Sequence, residues 1–159
     1  VKTTVPFLSY EKSPAGSPDN FVLTAHALFA WEDPPQWVWE IVSRRAVVLE
    51  TGHVSTHIDG MRRTVALCVY KGFFFGVSVA PDAPAVTPDS ALHDWIYANS
   101  AALAAAWGCS EADVLAVADH WFLALMRFSG FGFKRVYYLG VRLFGRAFHS
   151  IRSLFGRKP

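Results

Sequence analysis

Two short segments of the chain hold the residue types and spacings that acid–base chemistry needs. His93-Asp94-Trp95-Ile96-Tyr97 sets an imidazole, a carboxylate and a phenol within two helical turns, and Ala118-Asp119-His120-Trp121-Phe122 sets a carboxylate in an apolar run. On a helix, His93, Tyr97, Ser100 and Ala104 fall at i, i+4, i+7 and i+11 and share one face. On a second helix Leu115, Asp119, Phe122 and Met126 form one stripe, with Asp119 its single polar member. Antiparallel packing of two such helices brings Asp119 opposite His93. A carboxylate there fixes the imidazole tautomer and raises its basicity, as a general base that activates water requires. Asp94 points about 100° away around the helix. As a hard oxygen donor it suits a cation such as Ca²⁺, together with backbone carbonyls and water. The pair also has a plainer use, because a buried His–Asp hydrogen bond satisfies two polar groups and sets the register of two helices. On that reading Tyr97 is a core residue with its hydroxyl at the rim, and His120 faces elsewhere as a surface residue.

The elements that position these residues read as a β half followed by an α half. Residues 1–20, with Pro6, Pro14, Gly16 and Pro18, form an extended N-terminal arm. Phe21 to Trp31 is apolar and strand-like, Asp33-Pro34-Pro35 interrupts it, and Trp37 to Val42 resumes, with Trp37 and Trp39 on one face of a strand. Ala46–Glu50, Val54–Ile58 and Thr64–Tyr70 are further strands. Asp59-Gly60 between them is a two-residue hairpin signal of type I′. Phe73–Val79 is the last strand, closed by Pro81, Pro84 and Pro88. Thr87-Pro88 opens a helix running to about Ala106 and stopped by Gly108. Ser110 and Asp113 approximate a capping box for a second helix over 111–128. The connection of about four residues makes the two helices antiparallel neighbours. The expected fold is α+β: a small antiparallel β-sheet packed on an antiparallel helical hairpin. It comprises a core domain at 21–132 (β half about 21–80, hairpin about 88–128) and a basic amphipathic helix and tail at 133–159.

Charge is distributed unevenly. All 13 acidic residues lie at or before Asp119, while eight of the 15 Lys and Arg residues lie after it. Wound as a helix, Val141, Phe144, Phe148, Ile151 and Phe155 make one apolar stripe, with Arg142, Arg146 and Arg152 off it. Tyr138, Arg142, Phe144, Arg146, Phe148, Arg152, Phe155, Arg157 and Lys158 are therefore the candidate contacts to a partner or an anionic membrane. A helix that simply caps its own core fits the same pattern. Cys68 and Cys109 make neither a disulfide framework nor a zinc motif. Val1 to Asn20 lacks the apolar core of a signal peptide, and no apolar run reaches the roughly 18 residues of a spanning helix. The expectation is a soluble protein or one bound at a membrane surface. Nucleic-acid binding is disfavoured by the small net charge of +2 and the lack of a reader motif. P-loop, H-E-x-x-H and nucleophile-elbow signatures are missing.

The arrangement H-D-x-x-Y on one helix and A-D-x-x-F on the next resembles the catalytic helix pair of phospholipases A2, especially the small prokaryotic and viral forms. That resemblance implies His93 as general base, Asp119 as its orienting partner, Asp94 as a Ca²⁺ ligand and Tyr97 as support. The chain departs from it in lacking a Y-x-G-x-G calcium loop before His93 and the cysteines that clamp the pair. More of the chain is similar to a family of small bacteriophage-encoded proteins. The residues that carry this second resemblance are the β-rich front, Gly76-Val77-Ser78-Val79-Ala80-Pro81, the two helix motifs, and Tyr138-Leu139-Gly140-Val141-Arg142-Leu143-Phe144-Gly145. It implies a phage origin and brings no activity with it. The leading expectation is thus a phage virion-associated or assembly protein that acts by binding other virion components, located in the virion or host cytoplasm and able to form homo-oligomers. The alternative is a metal-assisted, phospholipase A2-like lipid esterase with a His/Asp dyad.

Overall fold

The computed structural model describes residues 3–4, 9–14, 21–76, 87–128 and 139. In chain order the elements are β1 (Thr3–Thr4), β2 (Tyr10–Lys12), β3 (Phe21–Leu23), β4 (Ala27–Glu32), α1 (Gln36–Val42), β5 (Val47–Leu49), β6 (Gly52–Asp59), β7 (Arg62–Val69), β8 (Phe74–Phe75), α2 (Thr87–Ala98), α3 (Ser100–Trp107) and α4 (Glu111–Phe128). The architecture is α+β. A five-stranded antiparallel sheet of order β1-β4-β7-β6-β5 and a three-stranded one of order β2-β3-β8 meet helices α2–α4. Both described pieces of the N-terminal arm are strands, one in each sheet.

Alternation along the strands decides which face the helices cover. Ala27, Phe29 and Trp31 of β4, Val65, Leu67 and Val69 of β7, and Val54 of β6 are buried, whereas Leu28 and Val48 are exposed. The register places Phe29 beside Leu67 and Leu67 beside Val54, so the buried positions form continuous rows. Each large apolar side chain so buried contributes about 1.5–3 kcal/mol. Trp121 of α4 lies on Trp31 at 5.7 Å between ring centroids. On the smaller sheet Tyr10, Phe21 and Phe75 pack edge-on or tilted within 6.0 Å of one another.

Three local expectations are corrected. Phe21–Trp31 is two strands in different sheets, with the chain changing sheet at 24–26. Trp37–Val42 is helix α1, which starts after Pro35 and is braced by a Gln36–Glu40 side-chain hydrogen bond one turn apart. Helical geometry separates the two tryptophans: Trp37 meets His120 edge-on at 5.0 Å, while Trp39 receives the Arg63 guanidinium over its ring. The hairpin loop is Gly60-Met61, closed by the pair Asp59–Arg62. Only the first of these two loop residues has positive φ, at +57°, which is the type II′ sense and not type I′.

The first long helix is also divided. At Asn99 the backbone reaches φ −109°, ψ 13°, and the Asn99 side-chain amide donates to the Trp95 carbonyl at 2.8 Å. That carbonyl also accepts the Asn99 backbone N–H at 3.1 Å, and the Asn99 carbonyl accepts the Leu103 N–H at 3.0 Å, so the hydrogen-bond ladder runs through the joint and the break is one of backbone angles at Asn99. Ser100 and Ala104 therefore belong to α3, where both are buried and Ser100 still meets α4 through Glu111. Gly108 ends α3 in the left-handed conformation, φ +62°, and Arg44 donates to the carbonyls of Trp107 and Gly108. The chain then turns through 109° into α4. The capping box is as read: the Ser110 hydroxyl accepts from the Asp113 amide, and the Asp113 carboxylate accepts from the Ser110 amide. Hydrogen bonds donated to the Asp113 carboxylate by the Ser110 hydroxyl and then by the Ser110 amide hold that carboxyl below its ordinary range.

Apart from Leu139, which is exposed, the expected helix and tail at 133–159 lies outside the described residues with all nine of its candidate contact residues, as do residues 77–81. Among the described residues no single helix is long and apolar enough to cross a membrane. Cys68 and Cys109 are free thiols, and burial raises both above their ordinary value.

Candidate functional site

Helix α2 is set on the sheet by Trp95. Its indole N–H donates to the Thr51 carbonyl and hydroxyl, at 3.1 and 3.0 Å, where β6 begins. The ring lies so close to Gly52 that a Cβ there would sit 2.9 Å from it and 2.5 Å from the Cys68 carbonyl oxygen. A glycine is required by this close approach. Sequence reading gave Gly52 no role, although a glycine inside a β-forming run is the ordinary signal for one.

With α2 fixed, its residues meet α4 in antiparallel order: His93 and Tyr97 reach Asp119, while Ser100, just beyond the α2 break, reaches Glu111. The expected pairing of His93 with Asp119 is present. His93 Nε2 lies 3.3 Å from Asp119 Oδ1, and the Tyr97 hydroxyl donates to the same oxygen at 2.8 Å. The imidazole is held between the Tyr97 ring at 4.1 Å and the Phe122 ring at 5.1 Å. The other carboxylate oxygen, Asp119 Oδ2, is buried and accepts no hydrogen bond. Its negative charge is therefore compensated chiefly through Oδ1, by His93 and Tyr97 together.

The outward side of His93 differs. Nδ1 lies 3.5 Å from Asp94 Oδ1, and Asp94 Oδ2 accepts the Gly76 backbone N–H at 2.9 Å. Side-chain exposure rises along the file, from 1% for Asp119 through 10% for His93 to 31% for Asp94. Solvent thus reaches the cluster from the Asp94 side. Burial by itself lowers the His93 pKa. Hydrogen bonds to Asp119 and Asp94, with the charges of both, outweigh it and raise the imidazole above its ordinary value.

His120 is half-buried, with Nδ1 on the Ala116 carbonyl and its ring against Trp37, so it stands apart from the cluster. The Gly76 amide was not anticipated as a partner of Asp94, since nothing in the spacing of residues 76 and 94 announces it. A calcium ion, which the phospholipase resemblance would place at Asp94, takes about six to eight oxygen ligands. Asp94 Oδ2 already accepts the Gly76 N–H and Oδ1 faces His93 Nδ1, and among the described residues no three His, Cys, Asp or Glu side chains are grouped to hold a metal. The described residues do not fit that ion.

Chemically, the arrangement can hold an imidazole in one tautomer, stabilise its protonated form, and exchange a proton at Nδ1. No protein-family model matches the chain, and neither a curated protein nor a solved structure matches it.

Proposed function

We propose that the chain is an ester hydrolase with the His/Asp chemistry of phospholipases A2, in which His93 is the general base. The observation that carries this reading is the sharing of Asp119 Oδ1 by His93 Nε2 and the Tyr97 hydroxyl, with exposure increasing toward Nδ1. In the neutral imidazole, Nε2 carries the proton that Asp119 accepts, and Nδ1 presents a lone pair. Nδ1 takes a proton from water as the hydroxide adds to an ester carbonyl. The imidazolium formed is stabilised by Asp119, then returns that proton to the departing alkoxide as the acyl–oxygen bond breaks. Tyr97 supports the carboxylate. Asp119 and Tyr97 orient, and only His93 exchanges protons with the reactants. The lipid-ester substrate class comes from the resemblance of the helix pair, and the anionic membrane as the surface on which the substrate is met comes from the basic, aromatic sequence at 133–159.

The experiment is acyl release from mixed anionic phospholipid vesicles by wild type and His93→Gln, with and without a chelator. Release that is lost in folded His93→Gln supports the reading. No release from folded wild type overturns it.

A second reading has its own support. The chain would be a phage virion-associated or assembly protein that binds other virion components, or further copies of itself, and His93–Asp119 would lock the helices. Its support is the apolar surface left open: Leu28 and Val48 on the uncovered sheet face, and Ile58 and Met61 at the hairpin tip.

A further inference from the structure

Asp94 follows the base in the chain, yet its carboxylate leaves α2 on another side and meets the end of β8. Phe75 of β8 is fully buried, is paired with Phe21, and packs against Tyr10, so the strand is anchored through its side chain. One residue later the Gly76 N–H is bound by Asp94 Oδ2 at 2.9 Å, while Oδ1 of the same carboxylate faces His93 Nδ1 at 3.5 Å. A single side chain thus joins two sheet-bound and helix-bound parts of the molecule at the solvent-facing edge of the imidazole.

We infer that Asp94 is a positioning residue that ties the Gly76 amide to α2, fixing where the chain leaves β8 beside His93, and that it does this in place of binding a divalent cation. The purpose of the tie rests on the hydrolase reading, whereas its geometry does not. A hydrogen bond from a backbone amide to a carboxylate is charge-assisted and directional, so it places the backbone more closely than packing alone. A cation seeking Asp94 would compete with the Gly76 N–H for Oδ2. At Oδ1 it would lie against His93 Nδ1, and a protonated imidazole there is a like charge.

Two variants separate a tie from a metal ligand. Asp94→Asn keeps an oxygen that can accept the Gly76 N–H, and Asp94→Ala keeps none. Hydrogen exchange at the Gly76 amide is measured by NMR, with the β6–β7 amides showing that each variant is folded. Exchange is expected to stay near wild type in Asp94→Asn and to quicken about tenfold or more in Asp94→Ala, as the loss of a charge-assisted bond implies. Millimolar Ca²⁺ is expected to leave the Gly76, His93 and Asp94 resonances of wild type unmoved. Acyl release is expected to follow the same order, with Asp94→Asn restoring what Asp94→Ala loses. Unchanged Gly76 exchange in Asp94→Ala would overturn the tie. Saturable Ca²⁺ shifts at these residues in wild type, absent from Asp94→Asn, would overturn the exclusion of the cation. Neither of those two arms needs turnover, so failure of the hydrolase reading is seen separately in the vesicle assay.

Discussion

The two layers of this protein are made of different chemistry. The buried side chains on the covered face of the five-stranded sheet are hydrophobic, with Phe29, Trp31, Val54, Val65, Leu67 and Val69 in register. Ser90, His93, Ser100 and Asp119, the buried polar residues among those described, all lie in helices. A sheet face of this kind needs only volume and alternation, and many apolar residues would serve. The helical layer needs particular partners, because a buried carboxylate is tolerated only where donors meet it. A chain selected for stability alone would do as well with hydrocarbon at those positions. The difference marks the sheet as scaffold and the α2–α4 contact as the place where specificity is concentrated.

The strongest way to break that contrast is Asp119→Ala. It leaves His93 and Tyr97 facing an empty position and is expected to cost about 3–5 kcal/mol, as for other broken buried pairs. Urea unfolding measures it. The combined change His93→Leu, Tyr97→Phe, Asp119→Leu removes donors and acceptor together, so stability is expected to return close to wild type while hydrolysis stays absent. If the triple variant were as unstable as Asp119→Ala, the cluster would be essential to folding and the contrast between layers would fail.

Next in size is the joint between the layers. Gly52→Ala places a methyl against the Cys68 carbonyl and the Trp95 ring. Over-packing of this kind costs about 1–3 kcal/mol, and here backbone is one of the two obstacles. The sharper prediction concerns α2: as Trp95 is displaced from Thr51, His93 moves with it, so hydrolysis should fall more than stability. An enzyme as active as wild type but less stable would show that the sheet does not position the base.

How much of this was legible in the sequence follows from the range of the interactions involved. Strands β5, β6 and β7, the capping box at Ser110 and the stop at Gly108 depend on neighbours a few residues away, and local pattern located them. The His93–Asp119 pairing is distant in sequence, yet Asp119 was marked as the one polar residue on an apolar stripe and His93 as sharing a helix face with Tyr97, both of which are local signals. What escaped local pattern was set by tertiary contacts. Trp37–Val42 has strand-like composition but is held as helix α1, with Val38 and Val42 buried and Trp37 against His120. The break at Asn99 lies in one residue's backbone angles, inside a run whose Trp95 and Asn99 carbonyls still accept the helical N–H groups, and no residue type there announces it. The bond between Asp94 and Gly76 joins a helix to a strand end that no spacing rule connects.

A smaller effect, opposite in sign for stability and for activity, follows from His93. Its folded pKa lies above the ordinary 6.5. The stability contributed by the protonated imidazole is therefore fully present below pH 6.5 and is lost as pH rises through the folded value. Unfolding midpoints measured across that interval should fall with pH in wild type and flatten in His93→Gln. The neutral base grows over the same interval, so acyl release should rise as stability declines. Stability that rose with pH through this window would mean that His93 is held neutral, and burial would then outweigh its two carboxylates.

The smallest effect is expected at the far end of the scaffold, where Met61 is 98% exposed and Ile58 62%. Ile58→Thr with Met61→Ser removes apolar surface that touches little, so stability should change by no more than about 0.5 kcal/mol. Hydrolysis should be unaffected, since neither residue contributes to the His93 cluster. Self-association measured by sedimentation velocity is the discriminating observation. If wild type associates and the double variant does not, while both fold equally well, the tip is a contact surface and the assembly reading gains a named site. Unchanged association would remove the tip from that role, leaving Leu28 and Val48 on the uncovered sheet face as the exposed apolar residues to vary next.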